Sequence, residues 1–130
     1  MSARSLQYFV IATRWASYLE FFRVETVFFR HLIDEYFIRL GGPGHTENFI
    51  MICKALLKLE EDRKRADNLL TGQIKHLELM AEDIIQEDIN SLSEKQIQIE
   101  YLVTDLVNEY RCVKNELFTL VEKIRKIKAG

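Results

Sequence analysis

The residues best suited to bind a metal ion are three histidines and two cysteines. His31, His45 and His76 form neither the H-E-x-x-H pair of zinc proteases nor the E-x-x-H pair of di-iron bundles. Cys53 and Cys112 have no C-x-x-C spacing and no histidine nearby in the sequence. We therefore predict no metal site and no cofactor.

Acid–base catalysis would need two carboxylates held together in a pocket, whereas the acidic residues of this chain come in short runs. The runs are interleaved with lysine and arginine, which is typical of a solvated helix face with ion pairs. They comprise Glu60, Glu61, Asp62, Glu82, Asp83, Glu87 and Asp88. Because no glycine-rich or strand-end loop adjoins these runs to build a pocket around them, the sequence predicts no catalytic residue and no enzyme.

Two cysteines without a pairing pattern are expected to be free, partly buried thiols. Free thiols favour an intracellular location, cytoplasmic or nuclear; a secreted protein with one bridge between two helices is the alternative. Mitochondrial targeting is a further alternative, because Arg4 and Arg14 precede the first acidic residue, Glu20, as in transit peptides. Charged residues interrupt the most hydrophobic region, so we predict no membrane-spanning helix.

The composition predicts one all-α domain over residues 1–130. With 48% hydrophobic and 29% charged residues, one proline and five glycines, the chain fits long two-faced helices better than a sheet with many tight turns. A formal net charge of −2 provides no broad cationic field for nucleic acid, so no nucleic-acid partner is predicted.

Three helices are predicted, over residues 5–40, 46–89 and 94–128. Gly41, Gly42, Pro43 and Gly44 stop the first helix, and a turn over residues 41–45 leads to Thr46, a suitable N-cap. The second break has weaker indications: Ser93 and Gln96 have the spacing of a capping box, and Leu92 and Ile97 that of a hydrophobic staple. The alternative is one unbroken helix over residues 46–128.

Apolar residues step by three and four along both later helices, as in coiled coils and helical bundles. The two patterns do not continue into each other between Met80 and Ile85, which requires a break, a bend or a change of partner there. Arg63, Gln73 and Gln96 occupy seam positions, where polar side chains can set register. The pattern predicts a three-helix bundle or an antiparallel coiled-coil hairpin, completed by another chain.

The first helix differs from the others because ten of the fourteen aromatic residues lie in the first forty positions. Two apolar stripes run along it. The first contains Tyr8, Ile11, Trp15, Tyr18, Phe22, Phe29, Leu32 and Tyr36, and the second contains Phe9, Phe21, Val24 and Phe28. A helix that is apolar on nearly all sides is normally central to a core or covered by another chain.

We therefore expect a non-enzymatic helical interaction subunit, a coiled-coil scaffold or adaptor that binds a protein partner or a copy of itself through apolar helix faces. The predicted partner-binding residues are Trp15, Tyr18, Phe22, Phe29, Tyr36, Val103, Tyr110 and Leu117. One alternative is a peripheral membrane-associated or mitochondrially targeted protein that uses the aromatic first helix. Another is an aromatic peptide tethered by the glycine-rich linker to a helical receptor.

Overall fold

Three long helices make up the part of the chain that the structure describes, and this part contains no strand. The structure, a computed structural model, describes the backbone of residues 1–40 and 44–129 and the side chains of residues 1–36 and 44–126. The helices are α1 (Ala3–Leu40), α2 (Thr46–Ala81) and α3 (Ile89–Ala129). The prediction of three helices is confirmed; Gly41, Gly42 and Pro43, the predicted stop of the first helix, lie outside the described residues.

Each helix packs against both of the others. The contacts Lys58–Glu109 and Gln73–Gln96 make α2 and α3 antiparallel, and α1 runs in the direction of α3, since Tyr8 lies beside Ser93 and Phe29 beside Phe118. Two interhelical ion pairs flank the core: Arg30 of α1 with Glu60 of α2, and Lys58 of α2 with Glu109 of α3 at 2.6 Å. Between the helices lie a main apolar cluster and, near the turn between α2 and α3, a smaller one formed by Leu77, Met80 and Leu92. The largest side chains of the main cluster with little or no exposure are Leu19, Phe29, Leu59, Leu70, Ile99, Leu106 and Leu117.

The second helix ends at Ala81, eight residues before the predicted end at residue 89. Its last turn closes with a Schellman motif, in which Asp83 N–H donates to the Met80 carbonyl at 3.1 Å and Ile84 N–H donates to the Leu79 carbonyl at 2.9 Å. Asp83 occupies the left-handed position of this motif, with φ 57°, where glycine is the usual residue. The break lies where the two apolar patterns fail to match, between Met80 and Ile85.

The third helix begins at Ile89 because Asp88 caps it, and not at the predicted residue 94. The Asp88 carboxylate accepts a hydrogen bond from the Ser91 amide at 3.1 Å, the geometry of a side-chain N-cap. The predicted capping box and staple do not form. The hydroxyl of Ser93 is 2.7 Å from the Tyr8 hydroxyl, Gln96 is buried, and Ile97 is 53% exposed.

The predicted cap of the second helix also differs in detail. The helix starts at Thr46 as expected, but the N-cap position belongs to His45, which makes no side-chain capping hydrogen bond. The His45 carbonyl accepts the first helical hydrogen bond, from the Phe49 amide at 2.9 Å. At His45 the backbone carbonyl, and not the side chain, therefore provides the cap.

Buried glutamines join the three helices near the turn between α2 and α3. Gln73 is 1% exposed and Gln96 is 5% exposed. The Gln73 amide donates to the Gln96 side-chain oxygen and to the Leu92 carbonyl, both at 3.1 Å, and the Gln96 amide donates to the Tyr8 carbonyl at 3.2 Å. Because any shift in register would leave these amides unpaired in an apolar interior, they fix the relative positions of the helices.

The turn also holds the first residues of α1. The Glu87 carboxylate accepts a hydrogen bond from the Ser2 amide at 3.1 Å, and it also bonds the hydroxyls of Ser2 and Ser5. These hydrogen bonds from Ser2 and Ser5 lower the pKa of Glu87, since they favour its charged form. The connection between α2 and α3 is therefore tied to the start of α1.

Replacing one buried glutamine by leucine should cost about 1–3 kcal/mol of unfolding free energy, because the other amide loses its partner. In a double-mutant cycle, Gln73→Leu with Gln96→Leu should cost less than the sum of the single changes. Urea denaturation followed by circular dichroism measures each value. Gln98→Leu, at an exposed position of α3, is the control and should change little. Additive losses would contradict the coupling of the two amides.

Removing the cap of α3 by Asp88→Ala should cost about 1 kcal/mol of unfolding free energy, because the Ser91 amide loses its acceptor. Asp88→Asn should recover most of the loss, since asparagine is an equally good cap. The matched control is Asn90→Ala, two residues into the same helix and exposed. Thermal and urea denaturation compare the variants, and equal losses for Asp88→Ala and Asn90→Ala would show that Asp88 is not the cap.

Candidate interaction surface

Six of the eight predicted partner-binding residues lie inside the bundle. The buried ones are Phe22, Phe29, Tyr36, Val103, Tyr110 and Leu117. Trp15 is half-buried against the same core, and Tyr18 is 54% exposed. Surface available to a second molecule is therefore made mainly by other side chains, and partner contact through the six buried residues stays a prediction.

The buried aromatic residues form a cluster between α1 and α3. The ring of Tyr110 lies 4.7 Å from that of Phe22 and 5.7 Å from that of Phe29, where the two rings stack. Phe118 meets Phe29 edge-on at 6.0 Å, and the Lys114 ammonium lies over the rings of Tyr110 and Phe118. Such pairs add stabilisation beyond the area that they bury.

Burial also changes the acidity of Tyr110. Removal from water, with a smaller contribution from the neighbouring Glu25 carboxylate, raises the pKa of Tyr110 to about 12. Both effects disfavour the phenolate. The ring therefore stays neutral at physiological pH and works as an apolar element of the α1–α3 contact.

Three of the four residues of the second stripe face outward, whereas Phe9 is half-buried against a small apolar cluster of α2 and α3. With two residues nearer the N-terminus, these three form a surface that we call the outer face of α1: Leu6, Val10, Phe21, Val24 and Phe28, each between 43% and 54% exposed. At 3.6 residues per turn these positions fall on one side of the helix, and Ser17 fills the same side between Val10 and Phe21. Neither α2 nor α3 covers this side.

The sequence identified Phe21, Val24 and Phe28 as a stripe but gave it no role, and it missed Leu6 and Val10. Periodicity alone cannot tell which of two stripes faces inward. The length of a stripe is the feature that separates them: the inward stripe runs from Tyr8 to Tyr36, whereas the apolar part of the outer face ends at Phe28. A helix that packs along its whole length needs apolar residues along its whole length.

Charged residues border the outer face on the side away from α3. Arg23 and Glu20 form an exposed bidentate ion pair with distances of 2.9 and 2.6 Å. The hydrogen bond from Arg23 lowers the pKa of Glu20, and the Glu20 carboxylate in turn raises the pKa of Arg23. Arg14 is exposed between Val10 and Phe21, and Glu35 is exposed beyond Phe28. The surface is thus an apolar strip beside charged residues of both signs.

A shallow groove between α1 and α3 continues the strip on one side. Tyr18 and Phe21 form its α1 wall, and Val107, Tyr110 and Arg111 form its α3 wall. The Phe21 ring reaches across it to meet Tyr110 edge-on at 6.1 Å. Phe21 therefore belongs both to the exposed strip and to the aromatic cluster beneath it.

The two cysteines are free and differ in their surroundings. Cys112 is exposed on α3, and not partly buried as expected, while Cys53 of α2 is half-buried. Burial, with a smaller effect from Asp34, raises the pKa of the Cys53 thiol and so disfavours its thiolate. Because its thiolate is disfavoured, the half-buried Cys53 is less reactive than an exposed thiol.

Neither a metal cluster nor a membrane-spanning helix is found among the residues with described positions. No three side chains of histidine, cysteine, aspartate or glutamate gather closely enough there to hold a metal ion. Within the same part of the chain, none of the helices combines the length and the apolar character needed to cross a bilayer. Comparisons with protein-family models, with curated proteins and with solved structures each give no match.

The raised pKa of Tyr110 predicts an alkaline loss of stability. Below about pH 10 the phenol is protonated in both the folded and unfolded chains, so it contributes no pH dependence. Between about pH 10 and pH 12 the unfolded chain loses this proton first, and the free energy of unfolding should fall by up to about 3 kcal/mol.

Urea denaturation at several alkaline pH values measures the fall, and Tyr110→Phe should remove this component. Tyr101→Phe, at an exposed tyrosine of α3, is the matched control and should keep it. The same alkaline loss in the Tyr110→Phe variant would exclude Tyr110 as its source.

Proposed function

We propose that this chain is a non-enzymatic helical interaction subunit that binds a protein partner through the outer face of α1. The observation that supports the proposal is the exposure of Phe21, Val24 and Phe28 on one side of a helix whose opposite side is buried in the bundle. Contiguous exposed aromatic surface of this kind marks protein interfaces, since large rings supply most of the binding energy there.

A helix of the partner is the best fit to a long, narrow apolar strip. Successive exposed residues of the strip are separated by three or four positions from Ser17 to Phe28, which is the spacing of a helix-packing seam. Burial of apolar area provides roughly 25 cal/mol per Å² before the costs of association. The half-exposed rings of Phe21 and Phe28 are therefore the expected anchors of the complex.

The charges beside the strip favour a protein partner over a bilayer. An anionic membrane surface attracts helices with a cationic border, whereas Glu20 is paired with Arg23 here and Glu35 lies beyond Phe28. The free thiols of Cys53 and Cys112 support an intracellular setting for the complex. In this role the chain acts as a scaffold or adaptor, with a rigid bundle presenting one helix face.

A photo-crosslinking amino acid at Phe28 tests the proposal in the cells from which the chain comes. We expect a covalent adduct with a protein, since the partner would lie against this position. The same amino acid at Tyr101, an exposed aromatic position on α3 outside the outer face, is the matched control and should give little adduct. Equal yields at the two positions, or no protein adduct at Phe28, would contradict the proposal.

A further inference from the structure

We propose that residues 2–9 of α1 form a movable arm that closes over the small apolar cluster of Leu77, Met80 and Leu92, with the Glu87 carboxylate as its clasp. The arm opens by local unfolding of the first turns of α1 while the main bundle stays folded. The inference goes beyond the proposed function and does not rest on it, since it concerns contacts within one chain.

The arm packs on a different part of the core from the rest of α1. Among the described side chains of α1, those of the main apolar cluster begin at Ala12. Tyr8 and Phe9 pack instead against the small cluster, which combines the end of α2 with the start of α3. Opening of the arm therefore leaves the main cluster complete, as expected for a unit that unfolds by itself.

The arm is attached mainly through polar groups. Between Met1 and Ile11, a stretch whose side chains are all described, Ser5 is the one buried residue, with 0% exposure. Tyr8 and Phe9 are only half-buried. The apolar surface that the arm covers thus comes from two half-buried rings, and little else of its apolar area is buried.

One carboxylate accepts most of the hydrogen bonds that hold the arm. Glu87 accepts the Ser2 amide at 3.1 Å and the Ser2 hydroxyl at 2.5 Å, and it also bonds the buried Ser5 hydroxyl. Hydrogen bonds to a charged acceptor are stronger than neutral ones, and a buried hydroxyl without an acceptor is costly. Closure of the arm therefore depends on the charge and reach of Glu87.

A second, weaker attachment lies one turn further along. The Tyr8 hydroxyl is 2.7 Å from the Ser93 hydroxyl, and the Tyr8 carbonyl accepts from the Gln96 amide at 3.2 Å. These are neutral hydrogen bonds at the edge of the bundle, where water can replace them when the arm opens. They align the closed arm without preventing its release.

Opening would expose a site that the closed chain hides. Leu77 and Leu92 are 0% exposed and Met80 is 3% exposed beneath the arm. Release of Tyr8 and Phe9 would uncover this apolar surface at the end of the bundle that contains the turn between α2 and α3. Such a minor open state is the physical basis of a cryptic pocket.

Hydrogen exchange of the full chain, resolved by NMR for single amides, tests the arm. In Glu87→Ala the amides of residues 6–9 should exchange roughly tenfold to a hundredfold faster than in the unchanged chain, because the arm loses its charged acceptor. The amide of Leu106, in the centre of α3, should keep its rate. Low urea should accelerate exchange at Leu106 more than in the arm, since local opening exposes less surface.

Two further variants control for the substitution itself. Glu87→Gln keeps an acceptor oxygen but no charge, so its exchange rates in the arm should fall between those of the unchanged chain and Glu87→Ala. Glu82→Ala removes an exposed carboxylate from the same connection and should leave the arm unchanged. Equal rates in Glu87→Ala and Glu82→Ala, or equal acceleration at Leu106 and in the arm, would overturn the proposal.

Binding of the dye 8-anilinonaphthalene-1-sulfonate tests exposure of the small cluster. Glu87→Ala should bind more dye than the unchanged chain and Glu82→Ala, because Leu77 and Leu92 become accessible. Trp15 is the single tryptophan and packs against the main cluster, so its fluorescence should stay the same in all three chains. Equal dye binding, or a change of Trp15 emission in Glu87→Ala, would show that no separate arm exists.

Discussion

Two helices can cover only part of the circumference of a third, and α1 carries apolar side chains around nearly all of its own. This constraint determines what is buried and what is exposed. The side with Phe22 and Phe29 is stabilised by contact with Tyr110 and the rest of the core, while the side with Phe21 and Phe28 faces water. The same helix therefore supplies both part of the core and the exposed apolar strip, and the position of one side fixes the position of the other.

Polar contacts give the bundle its register, because apolar seams with regular spacing tolerate sliding by a turn. Gln73 and Gln96 are paired in the interior, and Glu87 holds Ser2 and Ser5. These contacts join all three helices at the end of the bundle that contains the turn between α2 and α3. A side chain that is polar at a seam position costs stability but specifies one alignment, and here the alignment that it specifies is internal to the chain.

The sequence was sufficient for the helical class, and it favoured three helices over two. The ends predicted for the second break, residues 89 and 94, were wrong, although the mismatch of the apolar patterns after Met80 marks where α2 ends. The sequence was insufficient for the helix ends, where several capping arrangements have similar free energy. The left-handed position after α2 is occupied by Asp83 and not by the usual glycine. Ser93 and Gln96 have the spacing of a capping box, but their side chains form hydrogen bonds with Tyr8 of α1 instead. The candidate surface was found as one of two stripes on α1, but their spacing does not tell which faces inward, since that depends on packing with α2 and α3; the greater length of the inward stripe is the signal that was not used.

The connection between α2 and α3 contains neither glycine nor proline, and one residue, Asp83, carries its left-handed turn. Packing of α3 on the other helices, more than any helix-breaking residue, therefore keeps the chain folded back on itself at this point. If the connection straightened into continuous helix, α3 would leave its own bundle and could fill the equivalent space in a neighbouring molecule with identical contacts. The fold thus meets a requirement of three-dimensional domain swapping: the hinge can straighten into helix, because none of its residues is a helix breaker.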